Sequence, residues 1–212
     1  MKKRLVWVLA AGFIFFGCVG NGFAETADKS PAHGKLGVGL RVGYNQYANG
    51  TLNKYEVDMD PAGCYGVNAS YFFYGDFCVE GGVEYAVTKF NLKERGDRLA
   101  TEIGDLSQLA FLCTVRYQPV VFGSFMPYLG AGGAYYVNSF DHVNPTVELN
   151  LKDKFGWHVS GGVEYHAEGP VWLGLDMRYT WNDTYDEDPS VPEPKTITMD
   201  AFQVFGGVKL YF

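Results

Sequence analysis

The fold is decided by a strict alternation that begins in Leu36-Gly37-Val38-Gly39-Leu40-Arg41-Val42-Gly43-Tyr44. Every even position carries a large apolar side chain, and every odd position is glycine or arginine. Residues two apart share one face of a β-strand, whereas in a helix they lie on opposite sides. The stretch therefore predicts a β-strand with one bulky apolar face and one face of small side chains.

The same period of two returns along the rest of the chain. The second face stays small in each run and carries only one or two ionisable residues. This repetition predicts eight strands. They span residues 36–44, 65–71, 77–87, 109–117, 128–138, 155–165, 171–181 and 202–212.

Composition narrows the class of fold. Glycine makes up 27 of the 212 residues, and a face of Gly, Ala, Ser and Asn is too poorly charged for the water-facing side of a soluble sandwich. Small side chains do fit the interior of a narrow eight-stranded barrel, which leaves the large apolar face in lipid. The net charge of −7 excludes a basic nucleic-acid binder, and no apolar run of about 20 residues beyond the N-terminus predicts a membrane helix.

Short and long connections alternate between the predicted strands. Outer-membrane barrels have this pattern, with short periplasmic turns and long outer loops. We therefore predict an all-β fold, an eight-stranded antiparallel up-and-down transmembrane β-barrel. The short turns span residues 74–76, 118–126 and 167–170, and the four long outer loops, expected to be irregular, span 48–61, 90–105, 139–154 and 182–199.

Aromatic residues of the apolar face cluster near the strand ends. Amphipathic rings favour the two headgroup layers of a membrane, so two belts are predicted. The outer belt contains Tyr44, Tyr65, Tyr85, Tyr135, Trp157 and Trp181, and the inner belt contains Tyr71, Phe73, Phe77, Tyr117, Tyr165 and Phe212.

The N-terminal residues have the features of a secretory signal peptide. Basic residues at 2–4 precede an apolar stretch over 5–19, and small residues precede a cleavage point after Ala24. We predict a signal peptide over 1–24 and a barrel domain over 25–212, located in the bacterial outer membrane. The mature chain then has 14 basic and 24 acidic residues, a net charge of −10.

The mature chain keeps three cysteines, whose spacing predicts neither a disulfide framework nor a zinc site. The predicted turns place Cys78 opposite residue 72 and Cys64 near residue 86, about 26 Å apart along the strand. Cys113 points to lipid. We expect no intramolecular disulfide, no cofactor and no metal. The acidic residues of the last loop lack EF-hand spacing and are interpreted as a solvated tip: Asp183, Asp186, Glu187 and Asp188.

Several short motifs carry a family resemblance. They are Pro127-Tyr128-Leu129-Gly130-Ala131-Gly132, Gly156-Trp157, Gly161-Gly162-Val163-Glu164-Tyr165, Trp172-Leu173-Gly174-Leu175-Asp176-Met177-Arg178-Tyr179 and Gly207-Val208-Lys209-Leu210-Tyr211-Phe212. The chain resembles the small outer-membrane barrels of the OmpA and OmpX type, and OmpW-type proteins most closely. The resemblance implies binding or passage of small hydrophobic molecules, and recognition of Phe212 by the barrel-assembly machinery. Outer-membrane lipid and lipopolysaccharide are the other expected partners, and no nucleic acid is expected.

Ionisable residues on the small face form a balanced set. Unpaired charges inside a narrow barrel are costly, so we expect mutual pairing. One interpretation is a lumen closed by these pairs, and the other is a gate that opens for small solutes. The set contains Arg41, Arg116, Arg178 and Lys209 against Glu80, Glu84, Glu164 and Asp176.

Larger apolar side chains share the same inward phase. They line an apolar pocket near one end of the barrel, or they only fill the interior. Two functions remain open, a barrel for small hydrophobic solutes and a structural or surface-interaction barrel with a closed lumen. The residues are Tyr47, Phe72, Leu112, Tyr136, Trp172 and Phe205.

An enzymatic alternative rests on His158-Val159-Ser160, which is similar to the His-x-Ser of the lipid A deacylases. A nucleophile beside a base suits ester cleavage, and the hairpin near residue 168 brings Asp176 close to Ser160. However, both side chains point inward, whereas lipid cleavage requires a site that faces the acyl chains. Gly161 also stands where that family has asparagine. We therefore expect no catalytic site.

Overall fold

A computed structural model describes residues 32, 34–48, 50–52, 55–94, 101–119, 123–142, 151–186 and 195–212. The predicted signal peptide, Glu187 and Asp188 lie outside the described residues. In the described part of the chain, no helix combines the length and hydropathy needed to cross a membrane.

Eight antiparallel strands form a closed ring. In chain order the strands are β1 (Leu36–Tyr47), β2 (Gly50–Leu52), β3 (Tyr55–Met59), β4 (Ala62–Tyr74), β5 (Phe77–Glu94), β6 (Thr101–Tyr117), β7 (Phe125–His142), β8 (Lys154–Glu168), β9 (Val171–Trp181), β10 (Asp183–Asp186), β11 (Lys195–Thr198) and β12 (Ala201–Tyr211). The barrel order is β1-β4-β5-β6-β7-β8-β9-β12, closed by the pairing of β12 with β1. The eight-stranded barrel predicted from the alternation is confirmed.

The two faces of the strands point as the alternation predicts. Leu40 and Val42 are 67 % and 60 % exposed, whereas Arg41 between them is 7 % exposed and points into the barrel. All twelve aromatic residues assigned to the two belts are exposed on the outer surface. Because the outer surface is apolar between two rings of aromatics, its environment is lipid.

The barrel wall is much taller on one side. β5, β6 and β7 have 18, 17 and 18 residues, whereas β9 and β12 have 11 each. A membrane-spanning strand needs only about 9–11 residues, so the long strands project roughly 20 Å beyond it at 3.3 Å per residue. β3 widens this projection by pairing with the outer half of β5, from Met59 opposite Phe90 to Tyr55 opposite Glu94.

The prediction that the long loops are irregular is therefore wrong in part for all four, since β7 also extends into the third loop, to His142. β2 and β3 lie in the first loop, β5 and β6 extend into the second, and β10 and β11 form a separate two-stranded sheet in the fourth. The alternation continues in these extensions, but the outward-facing residues there are polar instead of apolar. Phe90 is buried, whereas Lys89 beside it is exposed to water. Strand structure thus persists past the point where the apolar outer face ends.

The register of the first hairpin is as predicted. Phe72 lies opposite Cys78 and Ala86 lies opposite Cys64. Gly75 occupies the turn with φ of +50°, a conformation that glycine adopts without a Cβ clash. Cys64 and Cys78 are buried, Cys113 is exposed on the lipid-facing surface, and all three are free.

This arrangement makes a labelling prediction. In lipid bilayers, a hydrophobic maleimide is expected to modify Cys113 alone, because Cys64 and Cys78 are buried inside the barrel. A charged maleimide added from water is expected to modify none of the three. Intact-mass spectrometry of the mature chain reads both results, and labelling of Cys64 by the hydrophobic reagent would contradict the assigned faces.

Candidate functional site

Polar side chains from β1, β5, β6, β8, β9 and β12 meet inside the barrel. Glu80 is the centre of this network. It accepts Arg116 Nη1 and Lys209 Nζ on Oε2, both at 2.6 Å, and Arg41 Nη1 on Oε1 at 3.1 Å. Three cations from three strands therefore share one carboxylate.

Glu164 binds two of these cations, Arg116 and Lys209, on the side toward the short turns. Arg116 Nη2 and Lys209 Nζ lie 2.8 and 2.7 Å from its Oε1. Gln118 donates its amide to Oε2 at 2.9 Å, and Tyr211 donates its hydroxyl to the same oxygen at 3.4 Å. Both carboxylate oxygens are thus saturated by donors.

Glu84 completes the network on the other side. It accepts Arg41 Nη2 at 2.6 Å and Arg178 Nη1 at 2.8 Å. Because β5 and β9 stand opposite each other in the ring, the Glu84–Arg178 pair crosses the full width of the lumen. The ion pairs form one continuous barrier across the barrel.

Aromatic rings support the guanidinium groups. Arg116 lies 3.6 Å from the centroid of the Tyr128 ring. Arg41 and Arg178 lie 5.3 and 5.1 Å from the centroid of Phe205. These cation–π contacts stabilise desolvated arginines and hold their side chains across the interior.

Asp176 differs from the other seven predicted lumen charges. It accepts the Tyr128 hydroxyl on one oxygen, and its Oδ1 has no hydrogen-bond partner. Among the described residues, the structure gives Asp176 no ion pair of its own. It stays close to Arg178 on the same strand but does not take part in the barrier described above.

Glycines on the inner face make room for this network. A Cβ added at Gly66 would lie 2.8 Å from Glu84 Cγ, and one at Gly82 would lie 3.0 Å from Arg41 Nη2. The small face thus leaves the volume that the long charged side chains fill. The cavity left between them measures about 30 Å³, room for no more than a few water molecules. At the level of the network, side chains therefore fill most of the barrel interior.

The six apolar residues predicted to line one pocket do not lie together. Tyr47 is at the outer end, Phe72 and Trp172 are at the inner end, and the others pack in between in two further clusters. All six are buried. A single shared pocket is therefore wrong, because these positions fall at different heights on a tilted barrel, and each ring packs against its own neighbours.

A larger apolar cluster lies at the long-loop end and was not predicted, except for Tyr47. We call it the outer apolar cluster. The sequence feature that could have identified this cluster is the alternation that continues into the loops. In the first loop, for example, the buried Val57 and Met59 flank the exposed Asp58. Its eleven buried members are Tyr47, Val57, Met59, Ala62, Phe90, Ile103, Leu106, Leu151, Ile197, Met199 and Ala201.

His158 and Ser160, the residues of the enzymatic alternative, both face the barrel interior, but the structure does not arrange them with Asp176 as a catalytic group. His158 is 2 % exposed and its Nε2 shares a hydrogen bond of 2.8 Å with Thr114 Oγ1. Arg178, and not Asp176, lies directly opposite Ser160. The turn lies at Gly169 and Pro170, and a β-bulge between His166 and Glu168 shifts the register so that Ser160 lies opposite Arg178. Both His158 and Ser160 are buried inside the barrel, away from acyl chains.

A closed eight-stranded antiparallel barrel with a lipid-facing apolar exterior defines a transmembrane β-barrel protein. The chain belongs to the outer membrane protein beta-barrel domain family, whose model matches residues 14–208. It is therefore an outer-membrane β-barrel protein, and its place is the bacterial outer membrane. A search of curated protein sequences finds no match.

Solved structures share the fold at low sequence identity. OprG from Pseudomonas aeruginosa is 18 % identical, with 85 % of this chain and 97 % of that chain covered and a TM-score of 0.70. AlkL is 18 % identical, with coverages of 89 % and 95 % and a TM-score of 0.60. Outer membrane protein W of E. coli is 17 % identical, with coverages of 86 % and 100 % and a TM-score of 0.53.

Proposed function

We propose that this barrel binds small apolar molecules in its outer apolar cluster and is closed to ions. The observation that carries the proposal is the cluster itself, which lies above the membrane-spanning part of the barrel. The cluster consists of Tyr47 and ten further residues, which lie on the barrel strands, on β3 and β11, and beside them. Such an apolar interior, held by hairpins outside the lipid, is the environment that a small hydrophobic molecule prefers to water.

The charged network sets the limit of this function. An apolar solute that continued along the axis would have to separate Arg178 from Glu84 and Arg41 from Glu80, at the cost of unpaired buried charges. A solute bound at the outer end is therefore expected to leave sideways into the lipid, and not through the inner mouth. The gate interpretation, in which the pairs open for solutes, is less favourable for the same reason.

The remaining partners follow from the exterior. The aromatic belts and the apolar band suit outer-membrane lipid and lipopolysaccharide, and Phe212 is exposed at the end of the last strand, where the assembly machinery would recognise it. Export requires removal of the signal peptide near Ala24. No catalytic role is proposed, since His158 and Ser160 are buried away from the lipid.

The first test is electrical. Refolded protein in planar bilayers is expected to give no ion-current steps, because the interior is crossed by ion pairs and holds no continuous water path. Single-channel recording measures this directly. A steady open conductance in the unmodified protein would contradict the closed lumen.

The second test is binding. In lipid nanodiscs the protein is expected to bind the fluorescent probe 1-N-phenylnaphthylamine, and Leu106→Asn is expected to weaken binding about tenfold, since it places an unpaired amide in the outer apolar cluster. Leu112→Asn is the matched control, because Leu112 is also buried but packs in a separate cluster. It should change the affinity less than about twofold. A protein that binds no probe would instead support the structural or surface-interaction barrel.

A further inference from the structure

Apolar side chains fill the end of the barrel that carries the short turns. We call this group the inner apolar cluster. Five of its members come from five different barrel strands, β4, β5, β7, β9 and β12, and the sixth precedes β1. All six are buried, with exposed fractions of 2 % or less. The members are Ala32, Phe72, Cys78, Met126, Trp172 and Tyr211.

Ala32 reaches this cluster through a turn that reverses the chain before β1. The Ala32 carbonyl accepts the N–H of Lys35 at 2.9 Å, and Gly34 between them has a φ of +74°. A type II turn requires a positive φ at its third residue, which glycine adopts without a Cβ clash. The Gly34 N–H also donates to the carbonyl of Phe72 on β4, at 3.3 Å. The turn thus directs the chain into the barrel instead of away from it.

The cluster extends from one side of the inner mouth to the other. Met126 lies on β7, which stands opposite β1 in the eight-stranded ring. Ala32 enters on the β1 side, where Leu36 and Phe212 exchange backbone hydrogen bonds of 3.1 and 3.0 Å. Because Ala32 is 0 % exposed, its side chain is packed inside this layer and does not merely cover it.

Tyr211 connects the inner apolar cluster to the charged network. Its ring lies 5.0 Å from that of Trp172 in an edge-to-face contact. Its hydroxyl donates to Glu164 Oε2 at 3.4 Å and accepts from Ser70 Oγ at 3.2 Å. The cluster is therefore the layer between the network and the short-turn end of the barrel. Water that entered from this end would have to pass it before it could screen the ion pairs.

We propose that Ala32 and the turn over residues 32–35 form a plug, which closes the inner mouth of the barrel to water and small polar solutes. The proposal does not depend on ligand binding in the outer apolar cluster. The ion pairs open only at the cost of unpaired buried charges, whereas the plug consists of one turn and one small side chain. Since β1 pairs with its neighbours from Leu36 onward, the plug can open locally while the barrel wall stays paired.

Gly34→Val tests the plug, with Cys78 as the reporter. A β-branched residue is strained at this positive φ, and no described atom lies within 4 Å of the added Cβ. The substitution therefore disfavours the turn without a side-chain clash. The probe is the anionic thiol reagent 2-sulfonatoethyl methanethiosulfonate, added from water to protein in lipid nanodiscs. Cys78 is expected to react about tenfold faster than in the unmodified protein, as the strain predicts, and mass spectrometry of its peptide measures the rate.

Gly123→Val is the matched control. Gly123 has a φ of +61° in a turn at the same end of the barrel, and its added Cβ also meets no described atom within 4 Å. It carries the same strain without acting on the turn before β1, so the Cys78 rate should change less than about twofold. A shift of electrophoretic mobility on boiling, measured for each variant, shows that the barrel has folded.

Ala32→Asp is a second variant, which acts on the packing instead of the turn. It places a carboxylate in the inner apolar cluster, where burial of a charge is unfavourable. The side chain is expected to leave the cluster, and Cys78 should again react about tenfold faster.

The outcomes decide for or against the plug. Faster labelling of Cys78 in both variants, with the control unchanged and Cys64 unmodified, supports it. An unchanged rate in both folded variants overturns it, because the mouth is then closed without Ala32. Equal acceleration by Gly123→Val overturns it as well. So does labelling of Cys64, which packs in a separate cluster, since the whole barrel would then have opened.

Discussion

Glu80→Leu is expected to lower the free energy of unfolding by about 3–5 kcal/mol, the usual cost of removing one partner from a buried ion pair. Glu80 neutralises Arg41, Arg116 and Lys209 at distances of 3.1, 2.6 and 2.6 Å. Its removal leaves the lumen with an excess of positive charge that water cannot reach. Urea unfolding in lipid vesicles, followed by tryptophan fluorescence, measures the change.

The matched control for this variant is Glu102→Leu. Glu102 also forms an ion pair, with Lys89 at 3.0 Å, but the two side chains are 41 % and 54 % exposed beyond the membrane. The pair raises the pKa of the Lys89 ammonium, yet solvent screens it, so the loss should be much smaller than that of Glu80→Leu. Equal effects of the two substitutions would mean that the interior pairs add no more to stability than a surface pair.

Gly162→Ala is expected to have the second largest effect, about 3 kcal/mol or failure of the barrel to close. A Cβ at this position would clash with the backbone carbonyl of Leu175 on the neighbouring strand and lie 2.8 Å from the Tyr128 ring. The carbonyl belongs to the β8–β9 pairing and has no freedom to move away. Resistance to unfolding by SDS, scored by gel mobility with and without boiling, reports the result.

Gly174→Ala provides the comparison within the same pair of strands. Gly174 also faces the interior, but its added Cβ would meet only Glu164 Cγ at 3.7 Å, an ordinary contact. We expect a loss below about 1 kcal/mol. If both alanines were tolerated equally, the inner face would be less tightly packed than the structure implies.

The barrel itself is predictable because its physical signal is strong. In residues 36–44 every outward residue is large and every inward one is glycine or arginine. Lipid on one side and a crowded interior on the other impose this pattern. The same counting fixes the register around Cys64 and Cys78 through a two-residue turn. The outer strand extensions are harder to predict, since Lys89 and Asn91 replace the apolar outer residues once the strand leaves the membrane.

The contacts inside the barrel depend on information that local patterns lack. The inward phase identifies all eight charged residues, but the pairing of Arg178 with Glu84 depends on how strands on opposite sides of the ring align. The turn at Gly169 and the β-bulge between His166 and Glu168 place Arg178, instead of Asp176, opposite Ser160. Single positions in the turns thus decide which charged residues pair. The alternation of apolar and small residues along a strand carries no information about those positions.

The position of Lys209 has a consequence for the order of assembly. It lies on the final strand, 129 residues after Glu80 and 45 after Glu164, and contacts both carboxylates. Until β12 pairs with β1, the nascent sheet therefore carries two acidic groups that lack one of their cations. Contacts of such long sequence separation form late and slowly. We expect insertion to be concerted and partly inserted sheets to be short-lived. The reason is that the last strand both closes the barrel, by pairing with β1, and brings Lys209 to the two carboxylates.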